Sequence, residues 1–320
     1  MKKQTFYANG KLLLTAEYFV LDGATALALP TKFGQSLSVS KNKKPNFGWD
    51  SEWISGDEKG NDWFSCGFDS ETFTITWSSG EDVGETLMTI LKTAQSLNPK
   101  APFRNTIFET DLTFPRAWGL GTSSTLIYAL SQYCAINPYV LLDKTFGGSG
   151  YDLACAGAKK PLLFQREKDK PTYKEVDFKP PFQDNLYFVY LGKKQNSRDG
   201  IERYREKAKN TPPQSRLSRD FVSTQYFNEI SALTQAFLAE QDFKNFENLI
   251  LQHETQVAEI IELPRAKALY FNDFWGEIKS LGAWGGDFVL ATSTRSFEET
   301  KSYFESRGFS TFLKYTDMVL

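Results

Sequence analysis

The chain has 320 residues, 41% of them apolar and 24% charged, with a formal net charge of −2. That length suits two domains or one large one with a core of ordinary size. The charge balance excludes a global basic field for nucleic acid. Three widely spaced cysteines, Cys66, Cys134 and Cys155, argue against a disulfide framework and for a reducing compartment. The single histidine, His253, argues against a zinc site, a Ser-His-Asp triad and a Cys-His dyad. Chemistry here must therefore use Asp, Glu, Lys, Ser, backbone amides or a bound metal. The 27 phenylalanines are scattered and read as core packing. The polar stretch Met1 to Asn9 reads as no signal peptide. No apolar run approaches the roughly 20 residues that span a membrane, so the expected location is cytoplasmic, with no membrane partner.

Thr5 to Ala8 is predicted as a short strand. An apolar run from Gly10 to Gly23 follows, interrupted by Lys11 and Glu17. Isolated charges in such a run lie on the solvated face of an edge strand, or they are paired or used. Ala26 to Val39 alternates as a strand; Lys41 to Asp62 reads as strand ends joined by loops. Thr72 to Trp77 is a further strand. Gly84 to Leu97 carries Leu87, Ile90, Leu91 and Ala94 at helical spacing.

Asn105 to Phe114 alternates again and delivers the chain into Pro115-Arg116-Ala117-Trp118-Gly119-Leu120-Gly121-Thr122-Ser123-Ser124-Thr125. Two glycines and a row of hydroxyls before a helix suit a loop that cradles phosphate, or one that only caps the helix. It is not the common P-loop, since no Lys follows the second glycine. Gly147-Gly148-Ser149-Gly150 then precedes a helix of small residues with Asp152 in its first turn. A carboxylate there is favoured by the helix dipole whether or not it does chemistry.

Leu162 to Gln165 is predicted as a strand, and the polar, Pro-rich stretch Glu167 to Pro181 as the domain junction. Leu186 to Leu191 opens the second domain and leads into the basic loop Gly192 to Arg198. That loop suits an acidic substrate, or is merely solvated. Glu202 to His253 reads as mostly helical, broken at Pro212-Pro213, with Phe227, Ile230, Leu233 and Phe237 on one face. Helix continues over Leu249 to Ile261 and is predicted over Asn272 to Lys279. Phe288 to Thr292 is a strand, Phe297 to Ser306 a helix and Thr311 to Tyr315 a final strand.

Four segments carry a family resemblance. Pro115 to Ser124 resembles the nucleotide-binding motif Pro-x-x-x-Gly-Leu-Gly-Ser-Ser-Ala of the GHMP kinases, the superfamily of galactokinase, homoserine, mevalonate and phosphomevalonate kinases. Gly10 to Gly23 resembles their first motif, Pro-Gly-Lys-x-x-x-x-Gly-Glu-His/Tyr-x-x-x-x-x-Gly. Here Asn9 replaces the Pro, Ala16 replaces the Gly, and Tyr18 follows the phosphomevalonate kinase form. Ser149 to Ala154 resembles the segment that holds the catalytic Asp in mevalonate and phosphomevalonate kinases. Lys279 to Ala291 resembles the third motif, with the Gly-Gly-Asp of phosphomevalonate kinases and Trp284 in place of a glycine.

The resemblance implies an α+β chain with the two-domain GHMP fold. A ribosomal protein S5 domain 2-like nucleotide-binding domain is expected over 1–182, and a ferredoxin-like domain over 183–320. It implies ATP as cosubstrate and Mg2+ as metal. By family position Pro115, Gly119, Leu120, Gly121, Thr122, Ser123 and Ser124 bind the nucleotide, and Ser123 holds the metal. Lys11 and Asp152 are the catalytic pair. Glu17, Tyr18, Ser149, Gly150, Ser197, Gly285 and Gly286 face the acceptor. The acceptor is phosphomevalonate or, alternatively, mevalonate or another small molecule; a homodimer is the oligomeric option. The remaining alternatives are a non-catalytic nucleotide-binding protein and, less favoured, a decarboxylase of the same superfamily.

Overall fold

The computed structural model describes residues 2–45, 48–167, 170–192, 201–202, 204–205, 219–282, 284 and 286–320. The chain forms two compact units and passes between them repeatedly. The first comprises Met1–Gly10, Phe33–Arg116 and Leu120–Gly157; the second comprises Lys11–Lys32, Ala117–Gly119 and Ala158–Leu320. The secondary structure is α+β.

In the first unit, alternation of apolar and polar residues builds β3 (Ser51–Gly56), β4 (Asp62–Asp69), β5 (Thr74–Ser78) and β6 (Thr106–Leu112). β3 is a complete strand inside the stretch read as strand ends and loops. β2 (Ala26–Lys41) pairs antiparallel with β6, from Gln35 opposite Leu112 to Lys41 opposite Thr106. β3 runs parallel to β6 and forms an antiparallel pair with β4. Four helices complete this unit: α1 (Glu81–Leu97), α2 (Thr122–Cys134), α3 (Pro138–Thr145) and α4 (Tyr151–Gly157). Leu87, Ile90, Leu91 and Ala94 of α1 are buried, as their spacing predicts. They join Trp53, Phe68, Phe108, Ile127, Leu130 and Leu153 in one apolar core. At its centre Trp53 stacks on Phe108, with ring centroids 5.3 Å apart.

The expected strand Thr5 to Ala8 is longer than predicted. β1 runs over Gln4–Leu13 and carries Lys11 within it, paired with β2. β2 also pairs antiparallel with β7 (Leu162–Glu167) at Ala26–Ala28. β7 returns as β8 (Lys170–Glu175), so the polar stretch after Glu167 contains a paired strand.

The second sheet lies wholly in the second unit. Its order is β10 (Ile278–Ser280), β11 (Phe288–Thr292), β9 (Leu186–Tyr190) and β12 (Phe312–Lys314), every pair antiparallel. Between β9 and β10 come α5 (Arg219–Ala239), α6 (Phe243–Ile261) and α7 (Ala266–Tyr270). Between β11 and β12 comes α8 (Phe297–Glu305), and α9 (Tyr315–Met318) closes the chain. This β-α-β-β-α-β order with β12-β9-β11-β10 adjacency is the ferredoxin-like arrangement. Asp242 caps α6 by accepting from the Asn245 N–H at 2.8 Å, and Ser296 with Glu299 forms a capping box on α8. One face of the sheet packs Tyr187, Val189, Val289, Ala291 and Ile278 against Phe271, Phe304 and Phe312. Among the described residues no helix is long and apolar enough to cross a membrane.

The helix expected over Asn272 to Lys279 does not form. α7 ends at Tyr270, and the chain turns into β10, which pairs with β11. The physical reason is visible at Gly276. A Cβ built there would overlap the Thr292 carbonyl oxygen. The Glu277 N–H reaches Thr292 Oγ1 at 2.8 Å, and the Thr292 N–H reaches the Glu277 carbonyl at 3.0 Å. Strand pairing at this close approach overrides a weak helical pattern in the sequence. Gly276→Ala is expected to lower unfolding stability by about 1–3 kcal/mol, as forced overpacking does. Urea denaturation measures it; an unchanged midpoint would refute the close approach.

Candidate active site

The glycine loop meets the context its motif requires: a strand, β6, then the loop, then α2. Gly119 and Gly121 hold φ of 68° and 92°, the left-handed region in which a side chain is strained. Leu120 is buried between them. Gly121 is the N-cap of α2, and no side chain caps that terminus. Its first amides and the positive end of the helix dipole are thus available to an anion.

The hydroxyls of this loop have separate fates. Ser124 Oγ donates to the Gly121 carbonyl at 2.9 Å, and Thr125 Oγ1 donates to Gln35 Oε1 at 2.7 Å. Both side chains are buried and serve the turn. Ser123 is exposed, and its hydroxyl makes no hydrogen bond among the described residues.

The second glycine run is also left-handed, with φ of 66° at Gly147, 113° at Gly148 and 86° at Gly150. It sets Ser149 in a buried position and starts α4. Asp152 lies in the first turn of α4, half-buried, its carboxylate accepting from the Leu153 N–H at 3.2 Å. α4 packs on α2, as its small residues suggest. At the end of α4, a Cβ on Gly157 would overlap the Tyr128 hydroxyl of α2. The helices that begin at the glycine loop and at Asp152 are therefore neighbours in one unit.

The first motif lies in the second unit. Lys11 is half-buried on β1, whereas Thr15, Ala16 and Glu17 are fully enclosed. Ala16 and Tyr18 hold φ of 63° and 64°. Ala16 replaces a family glycine and keeps the left-handed backbone that glycine adopts readily. Thr15 Oγ1 accepts from the Leu27 N–H at 2.9 Å and meets Thr234 Oγ1 of α5 at 2.8 Å. The Ala16 N–H donates to His253 Nε2 of α6 at 3.0 Å. Tyr18 stacks on Tyr204, centroids 5.8 Å apart.

Glu17 is read from the sequence as an acceptor-facing residue. In the fold its carboxylate is enclosed and accepts from Lys279 Nζ at 2.7 Å. Lys279, on β10, also stands 3.5 Å from Glu254 of α6. Glu254 in turn accepts from the Ser280 N–H at 3.0 Å and from Ser280 Oγ at 3.1 Å. Burial pushes Glu17 above its ordinary carboxylate range, and Lys279 opposes that shift. Burial pushes Glu254 up to about 7, with Lys279 pulling it down and Glu17 pushing it up. His253 is held well below its ordinary value by burial and by the Lys279 charge. Its Nε2 accepts from Ala16, so the neutral ring carries its proton on Nδ1.

Glu254 and His253 escape a motif-based reading, and the third motif names Lys279 without its buried partners. One signal was present: Ile250, Glu254, Val257 and Ile261 repeat at helical spacing, so a carboxylate interrupts an apolar stripe. A charge in that position must be paired.

The third motif begins at Lys279. Trp284 is buried with φ of 54°, again a left-handed residue where the family has glycine. Gly286 is buried. Asp287 then lies directly against Gly119: a Cβ built on that glycine would overlap both carboxylate oxygens. Around this contact the Tyr190 hydroxyl donates to the Ala117 carbonyl at 2.8 Å. Trp118 meets Phe288 edge-on at 5.5 Å. Ser197, the basic stretch after Gly192, and Gly285 lie outside the described residues.

Of the sequence-predicted site residues, Pro115, Leu120, Gly121, Thr122, Ser123, Ser124, Ser149, Gly150 and Asp152 share the first unit. Lys11, Glu17, Tyr18, Gly119 and Gly286 share the second. Among the described residues no three His, Cys, Asp or Glu side chains converge as a metal site. The open Ser123 hydroxyl at a helix N-terminus fits Mg2+, which takes one or two protein oxygens and completes its shell with phosphates and water.

No family model and no curated protein matches the chain. Solved structures do. Lactococcus lactis galactokinase complexed with galactose aligns with a TM-score of 0.70 at 14% identity, over 97% of this chain and 92% of that one. Methanococcus jannaschii mevalonate kinase aligns with a TM-score of 0.65 at 13% identity, over 95% of each chain. Streptococcus pneumoniae phosphomevalonate kinase, in complex with phosphomevalonate and AMPPNP, aligns with a TM-score of 0.64 at 15% identity, over 97% and 99%. The chain has the two-domain fold of the GHMP kinases.

Two expectations test the buried cluster. Lys279→Met leaves two enclosed carboxylates without their cation and is expected to cost about 3–5 kcal/mol of stability. A melting curve within error of wild type would refute the pairing. Glu254, with Lys279, Glu17 and His253 around it, binds its proton more tightly folded than unfolded. Its contribution is complete below its ordinary 4.5 and is lost as pH rises through about 7. His253 acts oppositely, its contribution falling away as pH drops through 6.5. Glu254→Gln keeps the Ser280 contacts and removes only the first effect. Urea midpoints taken from about pH 5 to about pH 8 are expected to show wild type losing roughly 2–3 kcal/mol relative to Glu254→Gln. Parallel profiles would overturn this.

Proposed function

We propose that this chain is an ATP-dependent small-molecule kinase that transfers the γ-phosphoryl group to phosphomevalonate. The observation that carries the reading is the pairing of α2 and α4 in one unit. An uncapped helix start with an open Ser123 hydroxyl stands on one helix, and Asp152 stands in the first turn of its neighbour. Phosphoryl transfer needs alignment, neutralised phosphates and a route for one proton, and little covalent help.

In this reading the amides of Gly119, Gly121, Thr122 and Ser123 hold the nucleotide phosphates. Pro115, Leu120 and Ser124 shape the loop that presents them. The Ser123 hydroxyl would hold Mg2+, which neutralises phosphate charge when bound. Asp152 orients the acceptor oxygen and takes its proton. Lys11 balances charge at the acceptor. With a phosphate as acceptor, Asp152 need not be a strong base and Lys11 carries more of the burden. Ser149, Gly150, Ser197, Gly285 and Gly286 line the acceptor. Glu17 and Tyr18 act on it indirectly, by fixing the bend of the first motif. Tyr18, the Ser-Gly-Tyr-Asp segment and Gly-Gly-Asp support phosphomevalonate over mevalonate.

An ATP-consumption assay with phosphomevalonate, mevalonate, galactose and homoserine identifies the acceptor. Turnover with mevalonate alone would move the assignment to mevalonate kinase. ATP binding without turnover of any acceptor would favour a non-catalytic protein. Asp152→Asn is expected to lower kcat by about 100-fold or more while ATP affinity stays within about twofold. Unchanged turnover would remove Asp152 from the chemistry.

A further inference from the structure

The glycine loop leaves a strand and enters a helix, and both of its ends are tied to neighbouring residues of β2. At the entry, Thr113 follows β6. Its N–H donates to the Gly34 carbonyl at 3.0 Å, and its Oγ1 accepts from the Gly34 N–H at 2.8 Å. At the exit, Thr125 ends the first turn of α2, and its Oγ1 donates to Gln35 Oε1 at 2.7 Å. Gly34 and Gln35 are consecutive on β2, and they share the first unit with Thr113 and Thr125. The mounting is rigid. Gln35 pairs with Leu112 in the ladder between β2 and β6. β1 passes so close that a Cβ on Gly34 would overlap the Ala8 carbonyl and the Tyr7 hydroxyl.

The bond at the exit is not one that Thr125 needs. Its hydroxyl also lies 3.1 Å from the Gly121 carbonyl and 2.9 Å from the Thr122 carbonyl, the usual local acceptors of a helical threonine. Gly121 is already served, since its carbonyl accepts the Thr125 N–H at 3.0 Å. Gln35 Oε1, by contrast, is a buried acceptor that takes its hydrogen from this hydroxyl, the two residues being only 4% and 1% exposed. The bond therefore adds a tie between strand and helix, in a place where water does not loosen it. The amides of Thr122 and Ser123, which the kinase reading gives to the nucleotide phosphates, lie on the same turn as Thr125. Preorganised donors stabilise charge only when they are held in position, so the aim of these amides depends on where that turn stands.

We propose that Gln35 is a positioning residue for the nucleotide phosphates, acting through Thr125 to hold the first turn of α2 against the strand pair that feeds the loop. The proposal rests on the kinase reading and gives a role to residues outside the motif segments. In this role Gln35 touches no nucleotide. Its loss weakens the phosphate contacts and leaves those of base and sugar alone.

The test is equilibrium binding of MgATP and of adenosine to the full chain, by calorimetry. The proteins are wild type, Gln35→Met, Thr125→Val, Thr125→Ser and the double variant Gln35→Met with Thr125→Val. MgATP affinity is expected to fall about fivefold to tenfold in both apolar single variants and in the double variant alike, the size of one shared buried hydrogen bond. Adenosine, which lacks phosphates, is expected to stay within about twofold throughout, and Thr125→Ser, which keeps the hydroxyl, within about twofold of wild type for both ligands. A merely structural role would weaken both ligands together or neither, and either result overturns the proposal. Losses that multiply in the double variant would be two separate effects and overturn it as well. Thr125→Val strands the Gln35 oxygen; should it not fold, the double variant, in which both polar partners are gone, decides in its place. Failure of Gln35→Met and of the double variant to fold would make the bond a structural one and sink the proposal. Wild type that binds MgATP with the expected pattern but consumes none with any acceptor fails the kinase reading and leaves the tie standing. Wild type that binds no ATP overturns both.

Discussion

The second unit is organised by a lysine with nowhere to go but between two glutamates. Lys279 is fully enclosed on β10, and taking its ammonium out of water is tolerable only because Glu17 and Glu254 stand 2.7 Å and 3.5 Å away. The requirement is geometric as well as energetic. It fixes the first motif, the start of the third motif and the inner face of α6 against one another, since each supplies one member. A neutral His253 completes the set, kept uncharged by its burial and by the nearby Lys279 ammonium; its ring receives the Ala16 N–H. That bond satisfies a backbone donor in a bend where Ala16 and Tyr18 are both left-handed, so the strained turn is over-determined by its surroundings. The cluster is thus better described as a registry device than as a source of net stability.

Much of this was legible in the sequence. Period-two alternation located β2 and β6, short apolar runs located β7, β9 and β11, and period-3.6 spacing located α1. The glycine runs were legible for a different reason, since left-handed backbone at Gly119, Gly121, Gly147, Gly148 and Gly150 demands that residue. What stayed hidden depends on partners remote in the chain. β10 is three residues long and owes its state to pairing with β11, which local spacing cannot reveal. Glu17 was assigned to the acceptor by the family resemblance, whereas its place in an apolar run left it solvated, paired or used. Its partner is 262 positions away.

The departures from the family motifs carry their own information. Ala16 and Trp284 each replace a glycine, and each retains a positive φ. Sequence alone suggested that these turns had been altered. The backbone at both positions is left-handed, the region glycine adopts most readily, and each side chain is enclosed. For Ala16 the added methyl is small and enclosed. For Trp284 the added indole is large and also enclosed. A bulky left-handed residue persists only where its surroundings hold it there.

The hydroxyl row of the glycine loop shows how a short motif divides its labour. Thr125 and Ser124 spend their hydrogens on Gln35 and on the Gly121 carbonyl, stabilising the turn that begins α2. Ser123 spends none among the described residues and faces outward. A helix start meant only for capping would turn a hydroxyl back to its own amides; here Gly121 occupies the cap and offers no side chain. The loop thus withholds from itself the oxygen and the amides that an incoming anion and its counter-ion require.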